Sequence, residues 1–122
     1  MHFWRQALLA LAGLAGAAGV ALAAFAAHAG GQQLMTAALF LLLHAGPILA
    51  IGLVGPPRAG LLAGATLLAA GVVLFSGDLT LRFIVGIKPV PLAAPAGGML
   101  LIIGWAWLAI VAPLRARRPG AE

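Results

Sequence analysis

The chain has 122 residues, of which 64% are hydrophobic and 7% charged, with a net charge of +5. An ordinary soluble domain carries roughly 25% charged residues, and seven basic and two acidic side chains cannot cover a globule of this size, so lipid is the expected solvent for most of the surface. Cysteine is absent, which excludes disulfide frameworks, thiolate metal sites and thiol nucleophiles; the basic residues fall singly or at the chain ends, without the aromatic-interleaved stripe that nucleic acid requires.

No Lys, Arg, Asp or Glu lies between Arg5 and Arg58, a stretch too long for one span of about 20 residues. Its polar, glycine-rich interruption is Ala29-Gly30-Gly31-Gln32-Gln33. A first helix is therefore predicted over about 6–27 and a second over about 34–54. Gly55-Pro56-Pro57-Arg58 cannot continue a helix and reads as a tight turn at the membrane interface. A third helix is predicted over 59–81, then a loop from Arg82 to Pro95 containing Lys88 and three prolines. The fourth runs over 96–112 and is closed by Pro113 and the basic cluster Arg115, Arg117, Arg118. The segments are apolar on every side, whereas a spanning β-strand alternates apolar and polar residues. The expected fold is thus all-α: a single membrane domain over 1–122, built as a four-transmembrane-helix up-down bundle.

Basic residues set the expected orientation. Arg5, Arg58, Arg115, Arg117 and Arg118 share one side, against Arg82 and Lys88 on the other, a five-to-two bias that places both termini in the cytoplasm. The alanine- and glycine-rich composition suits a GC-rich bacterial genome, and the expected location is the bacterial inner membrane, multi-pass. His2, Arg5 and Ala27-His28-Ala29 also fit a signal peptide with an A-x-A site. The apolar run between them exceeds the usual 7–15 residues, so a retained first helix is the expectation.

Helices in lipid associate through small residues that let backbones approach. Ala15, Gly19, Ala23 and Ala27 form one such stripe on the first helix, with Gly13, Ala17 and Ala21 beside it, which predicts this helix as the central packing element, contacted by two neighbours or by another copy of the protein. Gly60 and Gly64 make a small-xxx-small pair in the third helix, and Gly97 and Gly98 open the fourth. Pro47, inside the second helix, leaves the Leu43 carbonyl without its helical partner and favours a kink beside His44.

Ionisable residues within a span are costly and mark candidate sites. His44 is expected on the order of 15 Å from either end of its helix, and Asp78 roughly 5 Å inside the end of the third. Arg82 follows Asp78 at i+4, where an ion pair is natural. The candidate intramembrane polar site is His28, His44, Ser76, Asp78 and Arg82. In one reading His28, Asp78 and Arg82 form an outer vestibule with His44 deeper, as a proton or ligand site. In the other, Asp78 and Arg82 neutralise each other, His44 bonds a neighbouring helix and His28 is solvated. No catalytic residue, metal ligand set or cofactor is expected: the chain lacks H-E-x-x-H, G-x-S-x-G and phosphate-binding glycine motifs. Ser76 and Asp78, two apart on a helix, do not face each other as a nucleophile and acid would.

Several short patterns resemble the YgdD-like small membrane proteins, the domain-of-unknown-function family 423. Ala24-Phe25-Ala26-Ala27-His28 resembles the family's ending of the first helix, and His44-Ala45 its histidine-alanine in the second. Leu74-Phe75-Ser76-Gly77 resembles its stretch in the third, and Pro95-Ala96-Gly97-Gly98 with Gly104-Trp105 its fourth helix. The chain departs from the family in a shorter first loop, in Leu41-Leu42-Leu43 where aromatics are usual, and in Asp78 where serine is usual. The resemblance implies a four-helix inner-membrane protein and directs attention to His28, His44, Ser76 and the Gly97-Gly98 turn, without supplying an activity. The resulting expectation is a structural or accessory subunit, not an enzyme, that contacts membrane lipids and a second copy or larger complex through its helices, with no nucleic-acid partner. The alternative is a small oligomeric transporter or channel moving protons or a solute past His44.

Overall fold

A computed structural model describes residues 2–54, 58–86 and 90–117. The predicted Gly55-Pro56-Pro57 turn, Lys88, Pro89 and Arg118 lie outside these residues. The described residues form four helices and no strand: α1 (His2–Ala29), α2 (Gln32–Leu53), α3 (Ala59–Val85) and α4 (Ala93–Ala116). Each is long and apolar enough to cross a bilayer.

The helices overrun the predicted bounds for identifiable reasons. α1 continues to Ala29 because the first residues that leave helical geometry are Gly30 and Gly31, with φ of 77° and 111°. A side chain would be strained in that left-handed region, so two glycines suffice to reverse the chain. Arg82 is helical, not the start of a loop; α3 runs on to Val85 and ends at Gly86 (φ 78°), whose N–H bonds the Arg82 carbonyl. Pro95 falls in the first turn of α4, where its missing N–H has no helical acceptor to lose, so the helix begins at Ala93. Pro113 does not close α4, which continues to Ala116; near a helix end it forfeits one hydrogen bond. α2 runs through Pro47 to Leu53.

Consecutive helices are antiparallel, as their contacts fix. Gly19 of α1 faces Ala38 and Leu42, while Gly52 at the far end of α2 faces Leu9. Ser76 of α3 meets Ala37, and Gly31 meets Phe83. α1 packs along α2, α2 on α3 and α3 on α4; α1 touches α3 only briefly, and α4 approaches neither α1 nor α2 by its backbone. The central element is therefore α3, not α1. On α1 only part of the small-residue surface is used: Ala15 and Gly19 are buried, whereas Gly13, Ala17, Ala21 and Ala27 are exposed.

The α3–α4 seam explains why α3 takes the centre. Leu108 seats at Gly64, Leu101 at Gly71, and Leu68 at Gly104. Residues 64, 68 and 71 thus interlock with 97, 101, 104 and 108, at alternating spacings of three and four, the pattern of knobs in holes. Leucine side chains of each helix fill the gaps where the other lacks a Cβ. Leu68 and Val72 also join Leu8, Ala12 and Ile48 in the core shared with α1 and α2. Because lipid is as apolar as leucine, this fit contributes mainly through dispersion and close packing.

Candidate functional site

The polar residues inside the helices are resolved into separate arrangements, each tied to its own neighbours. His44 lies about 18 Å along α2 from Gln32, close to the middle of the helix, and is only 6% exposed. Its Nδ1 is 2.7 Å from the Phe40 carbonyl oxygen, and its Nε2 is 3.1 Å from Trp105 Nε1. An indole nitrogen can only donate and a carbonyl can only accept. The proton therefore resides on Nδ1, Nε2 is the acceptor, and the ring is the neutral Nδ1–H tautomer. Phe40 stacks beside the imidazole with ring centroids 5.8 Å apart, and Phe75 lies 4.4 Å from Phe40.

The His44–Trp105 bond joins α2 to α4 across a gap that their backbones do not close. Trp105→Phe keeps most of the ring but leaves Nε2 of a buried imidazole without a donor. The expected loss is about 1 kcal/mol, the usual scale for an interhelical hydrogen bond in a membrane protein, read as a lower melting temperature in detergent. Adding His44→Phe should then cost less than it does alone, since the two residues are coupled.

Ser76 serves a different contact. It is 1% exposed, and its hydroxyl donates to the Ala37 carbonyl 2.9 Å away, stitching α3 to α2. Asp78, 4% exposed, faces another direction, 200° around the helix at 100° per residue. Arg82 Nη2 stands 2.6 Å from its Oδ2. The pair is made without an aligned hydrogen bond, and Asp78 Oδ1 and Arg82 Nε are buried without a partner among the described residues. His28 is exposed and its Nδ1 bonds back to the Ala24 carbonyl of its own helix at 2.8 Å. No hydrogen bond or ion pair joins His28 to Asp78 or Arg82, or either group to His44, among the described residues.

The glycines fall into two groups. A Cβ at Gly19 would strike Leu42, one at Gly60 would meet Val111, one at Gly64 would strike Leu108, and one at Gly97 would strike the backbone of Phe75 and Gly71. Gly98 differs: its nearest neighbour would be Phe75 Cδ2 at 3.9 Å, an ordinary contact. The close approaches at Gly52, Gly71 and Gly104 were not predicted; the seven-residue spacing of Gly64–Gly71 and Gly97–Gly104 was the signal for two of them, Gly71 and Gly104.

Sequence reasoning also missed the tryptophans. Trp4 Nε1 donates to Thr66 Oγ1 at 2.8 Å, tying α1 to α3, and Trp107 Nε1 donates to the Gly60 carbonyl at 2.8 Å, tying α4 to α3. Arg5 bonds the Gly52 carbonyl, closing the α1–α2 pair at its open end. A tryptophan in an apolar setting needs a partner for its N–H, but chain separations of 62 and 47 residues hide which one.

The family described as "Protein of unknown function (DUF423)" matches residues 22–98, more than half of the chain. The chain belongs to the DUF423 family. The DUF423 match runs from the last part of α1 to the second turn of α4, so it contains His28, His44, Ser76, Asp78, Arg82, Gly97 and Gly98. Gly104-Trp105 lies beyond it, as do Trp4 and Arg5. No solved structure matches the chain.

Proposed function

We propose that this DUF423 protein is a structural or accessory subunit of the bacterial inner membrane, acting through helix contacts with a second copy or a larger membrane complex. The observation that carries this reading is the use to which the intramembrane polar groups are put. Ser76, Trp4 and Trp107 each spend their side-chain hydrogen bond on tying one helix to another, and His44 does so with one of its two, the other going to the Phe40 carbonyl of its own helix. Function by contact also suits the outward small-residue surface of α1, where Gly13 has open space around it. Extraction in native lipid discs should recover the protein with a stoichiometric partner or as a defined oligomer. A monodisperse monomer without a partner would count against the proposal.

The transport alternative relies on the mid-helix position of His44. Both of its ring nitrogens are engaged, so accepting a proton at Nε2 would require the Trp105 bond to open. A proton flux in proteoliposomes that disappears in His44→Ala would favour transport over the accessory role.

The proposed orientation has both termini in the cytoplasm, supported by the five-to-two bias of basic residues. Reporter fusions at either end should be active only in their cytoplasmic form; fusions active on the outer side would reverse the assignment.

A further inference from the structure

α2 and α4 leave a groove between them, floored by α3, that the proposed accessory role does not use. Its volume is about 500 Å³, within the range of small-molecule sites. Phe40 and His44 form one wall, Gly98, Ile102 and Trp105 the other, and Phe75 the floor. Trp105 is 45% exposed, so the groove is reached sideways, from the lipid.

We propose that this groove binds a lipid-soluble phenol, a flat ring bearing a hydroxyl, and that the hydroxyl inserts between Trp105 and His44. Three properties point to this chemistry. Four of the seven lining residues, Phe40, His44, Phe75 and Trp105, present rings, which favours a flat ring over a branched or flexible chain. The polar pair comprises one donor, Trp105 Nε1, and one acceptor, His44 Nε2. A hydroxyl accepts and donates at once, so it can replace the direct bond without leaving either nitrogen unsatisfied; a lone carbonyl would strand Nε2. The depth matters as well. The pair lies near the middle of α2, about 18 Å from one helix end and about 14 Å from the other, out of reach of a phospholipid headgroup whose polar atoms stay at the interface. The ligand must carry its hydroxyl into the hydrocarbon.

Gly98 supplies the test. It makes no close helix contact, and its missing side chain leaves the groove open. Gly98→Leu should fill the groove without forcing α4 from α3. With Trp4→Phe and Trp107→Phe, the fluorescence of the remaining Trp105 reports on the site in lipid nanodiscs. A long-chain alkylphenol should change it saturably, and about fivefold more tightly than the alkylbenzene of equal length, the scale of one net hydrogen bond. Gly98→Leu should abolish saturation, and His44→Leu should erase the preference for the phenol. Should Gly98→Leu fail to fold, Ile102→Trp blocks the same groove from an exposed position, read by displacement of a fluorescent alkylphenol. A response that rises linearly with probe and is the same in the blocked variants overturns the site. Saturation that is equal for phenol and alkylbenzene overturns the hydroxyl recognition. Neither result bears on partner recovery, so the failure of this site and the failure of the accessory role are distinguishable.

Discussion

Gly97→Ala is expected to destabilise the protein by about 3 kcal/mol, whereas Gly98→Ala next to it should be neutral or stabilising by up to about 1 kcal/mol. The contrast arises from what each new methyl meets. At Gly97 a Cβ would stand 2.5 Å from the Phe75 nitrogen and 2.7 Å from the Gly71 carbonyl oxygen. Both are backbone atoms of α3, which no side-chain rotation can move aside, so the helices must separate. Separation would unseat Leu101 from Gly71 and loosen the seam below it. At Gly98 the methyl lands at ordinary van der Waals distance, and alanine is the better helix former. Thermal melts of both variants in one detergent check this; equal melting temperatures would mean that α3 and α4 are not in close contact at Gly97.

Arg82→Ala is the second substitution with a large expected effect. It strands the Asp78 carboxylate, whose side chain is 1% exposed and whose Oδ1 already lacks a partner. Removing one member of a buried pair typically costs 3–5 kcal/mol, because the survivor is left unpaired in an apolar setting. Arg82 keeps some contact with the surroundings, its side chain being 20% exposed, so the expected loss is at the lower end, about 3 kcal/mol. Replacing both residues, as in Asp78→Leu with Arg82→Met, should restore most of the stability. A double variant as unstable as Arg82→Ala would show that packing around Arg82, rather than charge pairing, dominates.

The four helices were legible because their chemistry is uniform: long apolar runs separated by glycine, proline and charge admit one reading in lipid. The ends were less so. Arg82 looked like the edge of a span, but its pairing with Asp78 at i+4 holds it inside α3. Pro95 and Pro113 looked like breakers, yet a proline in a first turn loses nothing and one near a last turn loses a single bond. The residues of the candidate site could be named individually, since an imidazole or carboxylate in such a sequence stands out. The Asp78–Arg82 pair could be read from its i+4 spacing, but the groupings between helices could not, because they depend on which helix each side chain faces. The partner of Ser76 is 39 residues away and that of His44 is 61. The expectation that α1 is central failed for the same reason: a small-residue stripe marks where close approach is allowed, not where a neighbour stands.

The two-glycine reversal between α1 and α2 bears on how the chain enters a bilayer. With so short a connection the first two helices form a hairpin, and its tip, from Ala27 to Gln33, holds no Lys, Arg, Asp or Glu. The opposite end of the same hairpin carries Arg5 and is followed by Arg58. Dragging an arginine through hydrocarbon costs several kcal/mol, while glycine and glutamine cost far less. The cheaper insertion route is tip first, with the arginines left behind at the starting surface.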